Sequence, residues 1–291
     1  MKKVSLVVVG AGRAGGSLAR LWHRSGSVNI KAVYTRGGTS ELANETGATV
    51  LTGTMTLPDA DFLLISTPDA SLNAVATRIA QESCFPDKNN AIAFHLSGSC
   101  SSSDLTPLKD CGFKTASVHP LRSFSSSSQA EFSETRCALE GDADAMPALQ
   151  QLFEVIGARC FEINSSAKTA YHAACVISIN GLFALSDIAL NAWQRAGIEP
   201  DMAREIFLSL TIGTAKNIAG SGPAEALTGP LSRGDISVVS DQLKELRSSD
   251  LSGAAVYRTL SLRLLALADP RLDRETVKHL QKLLTTPPDE I

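Results

Sequence analysis

Apolar positions in the first half of the chain fall into short continuous runs: VSLVVV (4–9), NIKAVY (29–34), DFLLIS (61–66), AIAFHL (91–96) and KTASV (114–118). Between them, residues 13–25, 39–47, 69–82 and 102–111 carry apolar side chains at the spacing of one helix face. Strands buried on both faces read as unbroken apolar runs, so this alternation predicts a parallel sheet with helices on both sides. RCALE (136–140) and RCFEI (159–163) flank a further helical stretch and are expected to extend the sheet at its far edge.

After Asn164 the strand pattern stops. Helical periodicity runs through 165–196, 200–220, about 235–248, 250–268 and 271–285, with Asn164 or Ser165 as N-cap and Gly197 as stop for the first. The chain therefore reads as a Rossmann-type, doubly wound, mostly parallel α/β domain over 1–164, followed by an all-helical domain over 165–291. The serine run SFSSSS (123–128) reads as a loop, and no internal repeat is visible.

Composition supports two packed domains: 291 residues, 44% hydrophobic and 20% charged. A net charge of −3 with no basic stripe argues against nucleic acid or an anionic membrane as partner. No stretch approaches the roughly eighteen uninterrupted apolar residues of a membrane span. The opening MKKVSLVVVGAG imitates a signal peptide but reaches glycines and Arg13 too soon. Cys84, Cys100, Cys111, Cys137, Cys160 and Cys175 form no CxxC clip, as expected of thiols in a reducing cytoplasm. A cytoplasmic protein is the expectation.

The stretch VVVGAGRAGG places Gly10, Gly12 and Gly15 as GxGxxG between a strand and a helix, interleaved with Ala11, Arg13 and Ala14. In a dinucleotide site the three glycines serve the tight turn, the close approach of a pyrophosphate and the packing of helix on strand. The helix N-terminus then offers free N–H groups to the phosphates. The second strand ends at Tyr34, where an NAD protein places a carboxylate for the ribose 2′-hydroxyl. Thr35 and Arg36 stand there instead. A carboxylate repels a 2′-phosphate, whereas an arginine binds it by charge-assisted contacts, so the expected cofactor is NADP. Thr35 is expected to add a hydroxyl donor, and Arg13 to approach the same phosphate or the adenine.

In open α/β sheets ligands bind beyond the carboxyl ends of the strands. Those ends are polar here: Ser66-Thr67-Pro68-Asp69, His95-Leu96-Ser97-Gly98 and Val118-His119-Pro120. Ser66, Thr67 and Pro68 are expected under the nicotinamide ribose; Ser97, Gly98 and His119 are expected near the substrate. His95 and His119 read equally well as structural histidines. No HxxxH or HExxH pair accompanies them, and no metal site is expected. In AKTAYHAACVISIN, Lys168, His172, Val176 and Asn180 recur every four residues on a helix expected to be largely buried. A lysine and a histidine on such a face need a cleft or a partner; they are the expected catalytic pair, and Asn180 on the same face is expected to bind the substrate.

Taken together, GAGRAGGSLA, VYTR, STPD, HLSGS, SVHPLRSF, KTAYHAACVISIN and ALTGPLSRGD (226–235) resemble a bacterial family that joins a Rossmann-like domain to a helical domain of unassigned function. That family is similar to pyrroline-5-carboxylate reductase, to hydroxyisobutyrate and 6-phosphogluconate dehydrogenases, and to deazaflavin-dependent NADP oxidoreductases. The resemblance implies a homodimer through the helical domain and a lysine acid/base at Lys168. His172 stands where the hydroxyacid relatives carry asparagine, so their substrate class does not transfer. Arg233 offers a bidentate fork for a substrate carboxylate or phosphate, or an ion pair with Asp235. The expected activity is NADP(H)-dependent hydride transfer to or from a small polar carbonyl, imine or alcohol. The alternative is a non-catalytic NADP-binding sensor.

Overall fold

The computed structural model describes residues 3–83, 91–124 and 132–286. Beyond Ser123 and Phe124, the expected serine loop lies outside the described residues, as does Cys84. The chain divides into two compact units, Met1–Ile179 and Asn180–Ile291. The division falls inside a long helix rather than at 164/165, so the helix's first turns belong with the sheet.

In the first unit the order is β1 (Val4–Val9), α1 (Arg13–Arg24), β2 (Val28–Tyr34), α2 (Glu41–Thr46), β3 (Thr49–Leu51), β4 (Phe62–Ile65), α3 (Leu72–Glu82), β5 (Ile92–His95), α4 (Thr106–Lys109), β6 (Lys114–Pro120), β7 (Arg136–Gly141), α5 (Met146–Glu154) and β8 (Arg159–Glu162). The sheet order is β3-β2-β1-β4-β5-β6-β7-β8, and every pairing is parallel except β6 with β7. The strand order reverses between β1 and β4, which makes their carboxyl ends the expected ligand crevice.

Each sheet face carries its own core. One packs Leu6, Val8, Trp22, Phe94 and Phe153 beneath α1 and α5. Trp22 meets Phe153 edge-on at 5.2 Å and donates its indole N–H to Leu152 O at 2.8 Å, so its polar atom is satisfied in the core. The other face packs Val7, Val9, Leu63, Ile65, Leu72 and Ile79 beneath α3 and α4. Apolar residues of β1 and β4 thus face both ways, as their unbroken runs required.

The long helix α6 (Lys168–Arg195) follows a short turn capped by Asn164, whose side chain accepts from Ser166 N at 3.0 Å, and it stops at Gly197 with φ +85°. In the second unit come α7 (Pro200–Ala226), α8 (Pro230–Arg233), α9 (Ile236–Ser249), α10 (Leu251–Ala268) and α11 (Arg274–Thr285). A break at Gly222, φ +81°, just before Pro223, interrupts α7 near the end expected from the sequence. Its core is small: Leu231, Val239, Leu265, Leu280 and Leu284. Contrary to expectation, α6 is mostly exposed, burying only Lys168, and α7 buries only Ala203. An apolar composition calls for cover, but one small core does not supply it on every side.

Candidate active site

The β1–α1 turn is built by its glycines. Gly10 has φ +90°, and a Cβ there would sit 2.6 Å from Ser66 O; at Gly15 a Cβ would sit 2.6 Å from Ser66 Cβ. Gly12 differs, since nothing lies within 4 Å of where its Cβ would be. It is also the N-cap of α1, with no side-chain cap and no acidic residue in the first turn. The helix therefore presents unpartnered N–H groups and its positive end to open space.

That space opens into a cleft of about 820 Å³ lined by Gly10–Gly12, Tyr34–Arg36, Thr39–Leu42 and Ser66–Pro68. A second cavity of about 340 Å³ shares Gly12, Ser66, Thr67 and Pro68 and continues to Arg13, Ala14, Asp69, Leu96 and Ser97. The buried Thr67 hydroxyl has no partner among the described residues. Arg36 lines the cleft and joins no ion pair among the described residues. A free helix N-terminus, an open glycine, an orphaned hydroxyl and a free arginine beyond β2 fit a dinucleotide bearing a 2′-phosphate.

Two expected contacts change place. The Thr35 hydroxyl accepts from Gly37 N at 3.0 Å and donates to Thr39 O at 3.3 Å, so it shapes its own turn instead of presenting a donor. Arg13 lines the smaller cavity with Ser97, not the cleft with Arg36. Sequence reading missed Ser40, which also lines the cleft. Its oxygen caps α2 by accepting from Ala43 N at 3.2 Å, and its proton has no acceptor among the described residues.

At the ends of β5 and β6 a polar network sets the loop 97–101. The Asp69 carboxylate accepts from the hydroxyls of Ser97 and Ser99, each at 2.7 Å, tying the cofactor turn to this loop. Lys168 is 3% exposed. Its ammonium donates to Ser97 O at 2.9 Å and to the Ser117 hydroxyl, with Glu140 Oε1 3.6 Å away. Glu140, also 3% exposed, accepts from Ser102 N at 2.6 Å, Ser102 Oγ at 2.9 Å and Ser165 Oγ at 2.7 Å. Burial pushes the Lys168 ammonium below its ordinary range, and the Glu140 carboxylate opposes that shift. The expectation that Lys168 presents its ammonium to substrate is not met: its donors are engaged inside the first unit.

The histidines separate into two kinds. His95 is fully buried, accepts from Ser97 N at Nδ1 (3.1 Å) and donates from Nε2 to Ser101 O (3.0 Å). Those partners fix a neutral tautomer, and burial lowers its pKa further, so His95 is structural. His119 and His172 flank Gly98: a Cβ on Gly98 would meet His172 Cδ2 at 2.6 Å and His119 Cε1 at 2.8 Å. Their rings lie 6.0 Å apart, edge to face. His119 Nδ1 is 2.8 Å from the Tyr171 hydroxyl. Burial, then the charges of Lys168 and His172, push His119 down to about 4. Burial raises the Tyr171 phenol, which therefore stays protonated. Tyr171, one position before His172, had no periodic signal to mark it; Glu140 read only as a strand residue.

In the second unit, Arg233 donates to Asp235 Oδ2 from Nε at 3.0 Å and stands 2.9 Å away from it at the other nitrogen. The ion-pair reading of that motif is the one realised. Asn180 is exposed.

Residues 1–120 match the Rossmann-like domain family, and residues 135–264 match a family described as a domain of unknown function, DUF2520. The chain joins a Rossmann-like domain to a DUF2520 domain. Among solved structures, a Bacteroides fragilis protein described as a candidate NADP oxidoreductase is 22% identical, with 91% of this chain and 98% of that one covered at a TM-score of 0.73. Protein TM1727 of Thermotoga maritima is 26% identical, with coverage of 91% and 99% and a TM-score of 0.70. The pyrroline carboxylate reductase of Plasmodium falciparum, solved with NADP bound, is 12% identical, with coverage of 92% and 99% and a TM-score of 0.60. Comparison with curated proteins finds no match.

Proposed function

We propose that this protein is an NADP(H)-dependent oxidoreductase that moves a hydride between the nicotinamide and a small polar carbonyl, imine or alcohol. The observation that carries this reading is the run of cavity from Arg36 past Gly12 to Ser97, next to Gly98 and its two imidazoles. Arg36 and Ser40 hold the 2′-phosphate, the α1 N-terminus and Gly12 take the pyrophosphate, and Ser66, Thr67 and Pro68 bear on the nicotinamide half. The nicotinamide supplies or accepts the hydride. The names of two structural relatives support the same cofactor: one is described as a candidate NADP oxidoreductase and another was solved with NADP bound.

Proton handling falls to His119 and His172. In the tautomer whose Nδ1 accepts from the Tyr171 hydroxyl, neutral His119 carries its proton on Nε2, the nitrogen that faces Gly98. Lys168 and Glu140 hold the loop on which that exchange takes place. A cytoplasmic setting suits the free thiols of Cys100, Cys111, Cys137, Cys160 and Cys175. The helical unit joins a second copy. The test is NADPH oxidation, followed at the nicotinamide absorbance, against a panel of small ketones, aldehydes, oxoacids and cyclic imines. At least one is expected to turn over, and His119→Asn or His172→Asn slows it by a hundredfold or more, the scale of a lost general acid. NADPH bound but inert across the panel would count against catalysis.

A further inference from the structure

The Ser97–Gly98 peptide is gripped on one side only. Its carbonyl oxygen accepts from the Lys168 ammonium at 2.9 Å and from the Ser117 hydroxyl at 3.2 Å. The next two N–H groups, of Ser99 and Cys100, both donate to Ser97 Oγ, at 3.1 and 2.9 Å. The Gly98 N–H just before them has no acceptor among the described residues, although Gly98 is buried. Buried backbone N–H groups without a partner are rare, and leaving one unpaired costs about as much as a lost hydrogen bond.

Geometry fixes where this donor looks. In a trans peptide the carbonyl and the N–H point in opposite directions, and no cis peptide occurs among the described residues. Lys168 pulls the oxygen inward, so the Gly98 N–H faces away from the buried Lys168–Glu140 pair. His119 and His172 flank the same residue, and the preceding one, Ser97, lines the smaller cavity.

We infer that the Gly98 N–H is the hydrogen-bond donor for the oxygen of a carbonyl substrate, and that Lys168, braced by Glu140, is a positioning residue that orients and polarises the Ser97–Gly98 peptide. This rests on the oxidoreductase reading above and narrows its substrate to carbonyls. When the nicotinamide hydride adds to a carbonyl carbon, the π pair moves onto oxygen, where negative charge develops. A fixed N–H dipole stabilises that charge with no reorganisation. An ammonium on the far end of the same peptide strengthens the dipole, because hydrogen bonds in a chain polarise one another. A proton from an imidazole then completes the alcohol, leaving NADP⁺. An iminium substrate reverses the electrostatics: its nitrogen has no lone pair to accept and carries positive charge toward the N–H.

The test places ¹³C in serine carbonyls and ¹⁵N in glycine amides, so that a carbonyl-filtered spectrum keeps only Ser–Gly peptides, Ser97–Gly98 among them. NADP⁺ is added first, then glyoxylate or acetone, which NADP⁺ cannot reduce, or the cyclic imine 1-pyrroline in its protonated form. NADP⁺ alone is expected to move the loop glycines in the unfiltered spectrum. A carbonyl probe then shifts the Gly98 amide proton downfield and 1-pyrroline does not. Ser117→Ala shrinks that shift and Lys168→Met abolishes it, while both variants keep the response of the loop glycines to NADP⁺. A Gly98 signal unmoved by both carbonyl probes, with the loop glycines responding, overturns the inference and leaves the cofactor reading standing. An equal shift with 1-pyrroline overturns the carbonyl preference. Loop glycines that ignore NADP⁺ remove both readings together.

Discussion

Arg36 is the side chain proposed to select the cofactor. It stands free in the cleft just beyond β2, while the neighbouring Arg20 is committed to Glu45 at 2.6 Å. Arg36→Ala is expected to weaken NADPH by about 1.5–3 kcal/mol, the range for hydrogen bonds to a charged group, and to leave NADH nearly unchanged. Calorimetric titration of both nucleotides reads this directly; equal affinities in the native protein would sink the idea. His119 makes a second statement at this scale. Its pKa falls from 6.5 to about 4 on folding, chiefly through burial. The unfolded chain thus binds the extra proton first, so stability is complete above the unfolded value and is lost as pH falls from 6.5 toward 4. His95 shifts in the same direction. His119→Asn removes one of the two titrations, and its melting temperature is expected to fall less steeply across that window than the native protein's. Parallel slopes would mean that His119 does not carry this acid sensitivity.

Among elements, the glycine turn divides its labour in a way that mutation separates. Gly12→Ala adds a methyl to open space and should leave the melting temperature unchanged while NADPH binding falls by more than tenfold, about 1.4 kcal/mol. Gly15→Ala drives a methyl to 2.6 Å from Ser66 Cβ, so it should lower the melting temperature as well, because α1 has to move off the β4 turn. Identical effects on stability would show that the two glycines are not doing different jobs. This turn was legible in sequence because each glycine has a local cause. The strands of unbroken apolar composition were legible for the same reason. β3 was not: three residues, Thr49–Leu51, are too few to show alternation and form a strand only by pairing with Ala32–Tyr34. The antiparallel turn of β7 was hidden too, since strand direction is set by partners and not by pattern. The four-residue spacing of Lys168 and His172 was visible, but what each one does was not. Ser97, Ser117 and Glu140 reach Lys168 from three other segments, and no local pattern links them to it.

At the scale of the molecule, the unsettled account is apolar surface. An 18-residue window of α6 reaches a mean hydropathy of 1.8, long and apolar enough by composition to cross a membrane, yet its side chains stay open in the single chain. Ile177 is 74% exposed and Phe183 68%. On α7, Leu208 is 60% exposed and Leu210 57%. Scattered exposed leucines need no explanation, but two long helices that bury one residue each do. A lipid environment suits α6 poorly, because Asp187 and two asparagines, Asn180 and Asn191, lie along it. A second copy of the chain suits it well, since a two-fold interface lets the same apolar faces cover each other and leaves polar positions at the rim. The protein is therefore expected to sediment without detergent at micromolar concentration as twice 30.7 kDa. Phe183→Glu combined with Leu208→Glu should shift it toward the monomer, because a carboxylate in a closely packed apolar interface loses its hydration without gaining a partner. NADPH affinity should survive that change, since every residue assigned to the cofactor lies within the first unit. A native mass of 30.7 kDa, or recovery of the protein only with membranes, would leave these helices needing a different cover.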